Sequence, residues 1–152
     1  MKRMLSGIKP TGQLQLGNYI GAVKNFVRYQ DDYEMYVFIA NLHCITVYQD
    51  PEELRKNLRD CAALYLACGL DPNKAVIFQQ SDIRAVAQLG WILSCNSYQG
   101  ELNRMTQYKD KVAKGETSIT VGLYTYPTLM ASDIVIYNSD YVDRKSTRLN
   151  SS

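Results

Sequence analysis

The sequence predicts an α/β fold, a doubly wound parallel sheet with helices on both faces. Two observations carry that expectation. Short apolar runs at 4–8, 35–40 and 75–78 alternate with segments whose apolar residues recur at helical spacing, the order produced by βαβ units with right-handed crossovers. The run at 35–40, Met-Tyr-Val-Phe-Ile-Ala, is apolar throughout and rich in β-formers, as suits a strand covered on both sides.

Taken in order, the first strand ends at the turn-forming Lys9-Pro10-Thr11-Gly12. From Gly17 onward, Tyr19, Ile20, Val23, Phe26 and Val27 fall on one face of an amphipathic helix. After the second strand, Asp50 as N-cap, Pro51 at the first helical position and Glu53 as partner of a capping box mark a helix start. Its core face runs through Leu54, Leu58, Cys61, Ala62 and Tyr65, and Gly69 supplies the stop. Past the third strand, Ser81 precedes a helical pattern through Val86, Leu89 and Leu93, in which Trp91 is expected in the core. Helices are also expected around 101–107 and 118–137, with a polar loop near Lys114-Gly115 between them. Tyr141-Val142 opens a fourth strand. One apolar residue in the last ten predicts a disordered or non-native tail over 143–152. The domain is therefore expected to span 1–142 and to be incomplete at its C-terminal end.

Composition excludes little. Seventeen basic against fifteen acidic residues leave a net charge of +2, which neither demands nor forbids a nucleic-acid partner. No apolar run is long enough to span a membrane, and the N-terminus lacks the apolar stretch of a signal peptide. The four cysteines, Cys44, Cys61, Cys68 and Cys95, have no C-x-x-C spacing and lie in apolar segments, as reduced, buried cysteines of a cytoplasmic protein do. A single histidine, His43, argues against a zinc-type metal site.

The loop after the first strand lies where a doubly wound sheet binds its ligand. It contains neither G-x-G-x-x-G nor G-x-x-x-x-G-K-[ST], so neither of the two commonest nucleotide motifs is present. What remains is a Pro-x-Gly turn followed by Gly17-Asn18 opening a helix. Glycine lets backbone approach a ligand, and Asn18 with the free amides of the first helical turn can hold phosphate oxygens. From spacing alone, an ordinary βα turn is an equally good reading.

The stretch S-G-I-K-P-T-G-Q-L-Q-L-G-N-Y at 6–19 resembles the first signature of class I aminoacyl-tRNA synthetases, in the variant found in the tryptophanyl family. The family's His-Ile-Gly-His element stands here as Gln15-Leu16-Gly17-Asn18. The stretches L-H-C-I-T-V from Leu42, D-P-E-E-L-R from Asp50, G-E-L-N-R-M-T-Q from Gly100 and T-Y-P-T-L-M-A-S-D-I from Thr125 resemble the same family in the same order. The resemblance covers roughly 5–142 and implies a Rossmann-like class I synthetase catalytic domain. It further implies ATP, brought with Mg2+, L-tryptophan and tRNA(Trp) as partners, and a homodimer. Lys9, Pro10, Thr11, Gly17, Asn18 and Gly21 would bind ATP, and Gln15, Asn18 and Lys111 would serve catalysis at its phosphates. Lys111 belongs to a charged stretch, 107–111, that resembles the family's flexible segment near ATP and taken alone reads as a solvated loop. Lys9 and Gln15 depart from the family, which usually has glutamine at the first position and threonine or histidine at the second.

Tyr126, Met130 and Asp133 stand at i, i+4 and i+7, on one helix face. Asp133 is the only charge between Gly122 and Asp140, and a carboxylate is costly to bury without a donor. Taken alone, Asp133 could turn to solvent or pair with a distant basic residue, and His43 reads as a core histidine. The resemblance implies a sharper role. Asp133 would accept the indole N–H, Tyr126 would meet the amino acid's ammonium, and Leu5, Gly7, His43 and Met130 would line or flank the ring.

The resemblance also implies that the fourth strand should continue into Gly-Glu-Asp-Gln, followed by a Lys-Met-Ser-Lys-Ser loop and an anticodon-binding helical domain, none of which is in this sequence. The chain alone is therefore expected to form little or no adenylate. A tyrosyl-type synthetase, a small nucleotidyltransferase and a non-catalytic binding fragment are the rival readings.

Overall fold

The computed structural model describes residues 1–10, 19–114 and 119–142. Four parallel strands form one sheet in the order β3-β2-β1-β4: β1 (Arg3–Ile8), β2 (Glu34–Ile39), β3 (Ala75–Gln79) and β4 (Tyr141–Val142). The three expected strands are present, and the short fourth pairs through Met4↔Tyr141 and Leu5↔Val142. The tail over 143–152 lies outside the described residues.

Strand alternation sorts side chains onto two faces. One face carries Met4, Ile8, Met35, Val37, Ile39 and Ala75, packed against Val23, Phe26, Cys61 and Tyr65 in the main core. Phe26 comes from α1 (Lys24–Tyr29), which continues a π-helical turn at Tyr19–Val23. Cys61 and Tyr65 come from α3 (Pro51–Ala67), which follows the one-turn α2 (Asn41–Cys44). The Asp50 N-cap, the Pro51 start and the Gly69 stop of α3 are as read from the sequence, whereas the Glu53 side chain makes no return bond to the Asp50 amide, so the expected capping box is only half formed. The Asp50 carboxylate accepts from the amides of Glu52 (3.0 Å) and Glu53 (2.9 Å). At the other end Gly69 has φ +99°, and the amides of Gly69 and Leu70 close onto the carbonyls of Leu66 and Tyr65, the Schellman arrangement that a left-handed residue permits.

The opposite face carries Leu5, Gly7, Tyr36, Phe38 and Phe78 by the same alternation. Over it lies the end of α7 (Val121–Ile136), whose following residue Tyr137 meets the rings of Phe78 (5.3 Å) and Tyr36 (5.9 Å). Beside α7 packs α4 (Arg84–Cys95), with Gly90 against Leu129 and the hydroxyls of Ser94 and Thr128 2.7 Å apart. Helices on both faces of a parallel sheet are the predicted fold class.

Four details differ from the sequence reading. The helix around 101–107 is two, α5 (Gln99–Leu102) and α6 (Thr106–Ala113), so the charged stretch at 107–111 is helical rather than a loop. Tyr124 of α7 donates to the carbonyl of Gln99 at 3.0 Å and tethers the shorter piece. Trp91 is 72% exposed rather than in the core. It follows Gly90, which faces α7, and one helical residue turns it by ~100° onto the open side. Cys95, on the last turn of the same helix, is also exposed, whereas Cys44 and Cys61 are buried and all four cysteines are free.

Candidate functional site

The site is built at the C-terminal edge of the sheet, where β2 and β3 hand over to short helical turns. β2 leads through Ala40 into α2, and β3 leads into a 3₁₀ turn at Gln80–Asp82. The two turns are latched together. Asn41 donates to Ser81 Oγ (2.8 Å) and accepts the Ser81 amide (3.1 Å), while Gln79 also donates to Ser81 Oγ (2.8 Å). The third wall is α7. Its N-cap Thr120 accepts from the amide of Leu123 (3.1 Å) and donates to the carbonyl of Thr46 just beyond α2 (2.5 Å). Pro127, inside that helix, removes the amide that would pair with the carbonyl of Leu123.

At the meeting point of these elements is Asp133, 2% exposed. Gln80 Nε2 donates to its Oδ2 at 2.7 Å, and His43 Nε2 lies 3.0 Å from the same oxygen. A carboxylate only accepts, so that imidazole nitrogen is the donor. The other oxygen, Oδ1, is buried and has no hydrogen-bond partner among the described residues. A buried acceptor left unpaired costs free energy unless something donates to it, so the geometry suits a ligand carrying one N–H or O–H.

Around this acid the predicted residues gather unevenly. The ring of Tyr126 meets that of His43 edge-on at 6.1 Å, and burial raises the pKa of the Tyr126 phenol. Leu5 is fully buried and Gly7 half-buried on the sheet face that the end of α7 crosses. Gly7 has a packing reason of its own: a Cβ there would lie 2.6 Å from the carbonyl oxygen of Phe38. Met130, one turn before Asp133, is 41% exposed. Of the predicted nucleotide residues, Lys9 is half-buried and Pro10 buried just past β1, and Gly21 is half-buried in the π-helical turn. Burial pushes the Cys44 thiol up to about 11, and the charge of Lys9 opposes that shift, so the lysine acts electrostatically at the end of α2. Thr11, Gln15, Gly17 and Asn18 lie outside the described residues. Lys111 is on α6, with its side chain likewise outside them.

Sequence reasoning missed Gln80. It is 0% exposed, and its Oε1 accepts the amide of Leu42 at 3.1 Å. The available signal was its place immediately after a parallel strand, where such sheets gather ligand residues. Among the described residues, no group of three or more His, Cys, Asp or Glu side chains is placed to hold a metal ion. No helix among them is long and apolar enough to cross a membrane.

Comparison with known proteins decides the family. The family described as tRNA synthetases class I (W and Y) matches residues 1–143. The chain belongs to this class I synthetase family. Its relatives include the tryptophan–tRNA ligases of Caldanaerobacter subterraneus, 53% identical over 142 residues, and Bacillus subtilis, 57% identical over 139 residues. The match takes in 93% and 91% of this chain but only 43% and 42% of theirs, so the chain spans less than half the length of these relatives. The fold is likewise that of solved class I synthetases. The tryptophanyl-tRNA synthetase of Campylobacter jejuni superposes with a TM-score of 0.86 at 45% identity, over 93% of this chain and 44% of that one. The same enzyme complexed with ADP and tryptophan superposes with a TM-score of 0.84 at 46% identity, over 92% and 44% of the two chains. A tyrosyl-tRNA synthetase from Archaeoglobus fulgidus, complexed with L-tyrosine, shares the fold with a TM-score of 0.75 at 23% identity, over 93% and 45% of the two chains.

Proposed function

We propose that this class I synthetase chain is the tryptophan- and ATP-binding part of a tryptophan–tRNA ligase. One observation carries the reading: the buried carboxylate of Asp133 has two donors on one oxygen and none on the other. The indole N–H is a donor only and is the one polar feature that separates the tryptophan side chain from that of phenylalanine. An acceptor held out of water rejects analogues that lack the donor, because they leave it unpaired. Relatives named tryptophan–tRNA ligase, and a structural neighbour complexed with ADP and tryptophan, support the same reading.

In this reading Asp133 Oδ1 receives the indole, Tyr126 meets the ammonium, and Leu5, Gly7, His43 and Met130 line or flank the ring. Lys9, Pro10, Thr11, Gly17, Asn18 and Gly21 hold ATP, which brings Mg2+, with Gln15, Asn18 and Lys111 at its phosphates. The tryptophan carboxylate attacks the α-phosphorus. The bond to the β-phosphate bridging oxygen breaks, and pyrophosphate leaves with that electron pair. A terminal ribose hydroxyl of tRNA(Trp) then takes the aminoacyl group and AMP departs. Neither step requires a protein nucleophile, so positioning and charge stabilisation carry the rate. Four unpaired cysteines suit a cytoplasmic setting. Exposed Trp91, Ile92 and Tyr98 are the kind of apolar surface a homodimer would cover.

The test uses two proteins: the 152-residue chain, and residues 1–142 completed by the remainder of the Bacillus subtilis ligase. The completed protein should support tryptophan-dependent ATP–pyrophosphate exchange, and the chain alone little or none. Exchange that depends on tyrosine would make it a tyrosyl-type synthetase. Tryptophan binding without exchange in the completed protein would favour a non-catalytic module.

A further inference from the structure

Gln80 belongs to no motif of the sequence, yet it is fully enclosed beside Asp133. Both ends of its amide are engaged. The Leu42 backbone amide can only donate, so the atom facing it at 3.1 Å is the carbonyl oxygen of Gln80. The amide nitrogen is thereby turned to Asp133 Oδ2, 2.7 Å away. His43 brings a second donor to that same oxygen at 3.0 Å. Two donors on one carboxylate oxygen fix the rotation of the carboxylate, and the oxygen left over is the buried, unpartnered Oδ1.

We propose that Gln80 is a positioning residue for ligand recognition: it holds Oδ2 so that Oδ1 is presented, undivided, to the N–H of the bound amino acid. The inference rests on the reading of Asp133 given above. An amide suits this task better than a basic side chain. It orients the carboxylate without neutralising it, so the acceptor strength of Oδ1 is retained. The turn that bears Gln80 is itself braced, through Ser81, to Asn41 at the start of the helix that carries His43. Both donors therefore move as one unit with the ends of β2 and β3, which is how a supporting shell keeps a binding group within narrow limits.

A purely structural cross-link would make the same contacts, so the test reads specificity rather than affinity alone. In the completed protein, dissociation constants are measured by calorimetry for tryptophan and for its benzothiophene analogue, in which sulfur replaces the indole N–H. Gln80→Glu keeps the shape and the bond to the Leu42 amide but sets an oxygen against Oδ2; Gln80→Met removes both bonds. In each variant the preference for tryptophan over the analogue should fall about tenfold or more, the scale of one hydrogen bond to a charged acceptor. The analogue's own affinity should move by less than about threefold. Equal losses for both ligands, with the preference unchanged, would reduce Gln80 to a structural tie and overturn the proposal. If the parent itself shows no preference, the reading of Asp133 fails instead. A tryptophan-bound crystal structure of the parent gives an independent check. Gln80 Nε2 should stay on Oδ2 with the indole nitrogen on Oδ1, and a Gln80 swung away would refute the inference without any variant.

Discussion

Asp133→Asn should separate binding from stability, with the two moving in different directions. The asparagine fits the same space, but its two ends are no longer alike. Gln80 Nε2, held in place by the Leu42 amide, points a proton at the position of Oδ2 from 2.7 Å. The asparagine must therefore put its oxygen there and its NH2 where Oδ1 stood. An indole N–H arriving at that point meets a donor instead of an acceptor. The loss is at least that of one hydrogen bond to a charged group, about 1.5–3 kcal/mol, or roughly ten- to 150-fold in the dissociation constant. Folding is affected differently. Oδ1 is a buried acceptor without a partner, and removing a buried charge relieves a desolvation cost while the neutral amide keeps the bonds to Gln80 and His43. The variant chain should unfold in urea within about 1 kcal/mol of the parent, or above it, a trade-off common where a site stores strain for a ligand. Calorimetry of the completed protein gives the affinity. Unchanged tryptophan binding, or a stability loss beyond about 2 kcal/mol, would rule out this role for Asp133.

Two further outcomes follow from the packing beneath the site. Gly7→Ala would bring a Cβ to 2.6 Å from the Phe38 carbonyl oxygen, where ordinary contact begins at 3.4 Å. The obstacle is the backbone of a hydrogen-bonded neighbour, so no rotamer relieves it, and a loss of about 1–3 kcal/mol is expected in urea unfolding. A loss below about 0.5 kcal/mol would mean that β1 and β2 part more easily than their pairing suggests. Tyr137 sets an alkaline limit: burial, then the charge of Asp133, pushes its phenol up to about 12. The unfolded chain ionises this group near ~10, so its contribution is full below that pH and is lost as pH rises through the folded value. Cys44 and Cys61, pushed by burial to about 11, add a parallel loss that starts lower. Tyr137→Phe should leave the cysteine part intact, flatten the fall between about pH 10 and 12, and hold or raise stability near neutrality, because the buried hydroxyl has no partner. Identical parent and variant curves in that window would rule this out.

Much of the fold was legible because its signals are local. The apolar runs of β2 and β3 and the Asp50-Pro51 start and Gly69 stop of α3 act within a few residues of themselves. The shared face of Tyr126 and Asp133 is likewise a matter of helical spacing. Trp91 escaped because composition says it is apolar but not which side of α4 is covered; Gly90, the small neighbour that lets α7 approach, decides that. Likewise the charges at 107–111 suggested a solvated loop, and helix formation does not depend on charge alone.

The class of sheet, the order of its elements and the presence of a lone acid on an apolar helix face are written in local sequence patterns. The surroundings of that acid come from long-range packing instead. Its two donors come from 90 and 53 residues away, from the ends of neighbouring strands that must first pair. Which carboxylate oxygen is filled and which is left open depends on those long-range contacts. A periodicity is set by the helix a residue belongs to, whereas a hydrogen-bond geometry is set by where the rest of the chain comes to lie.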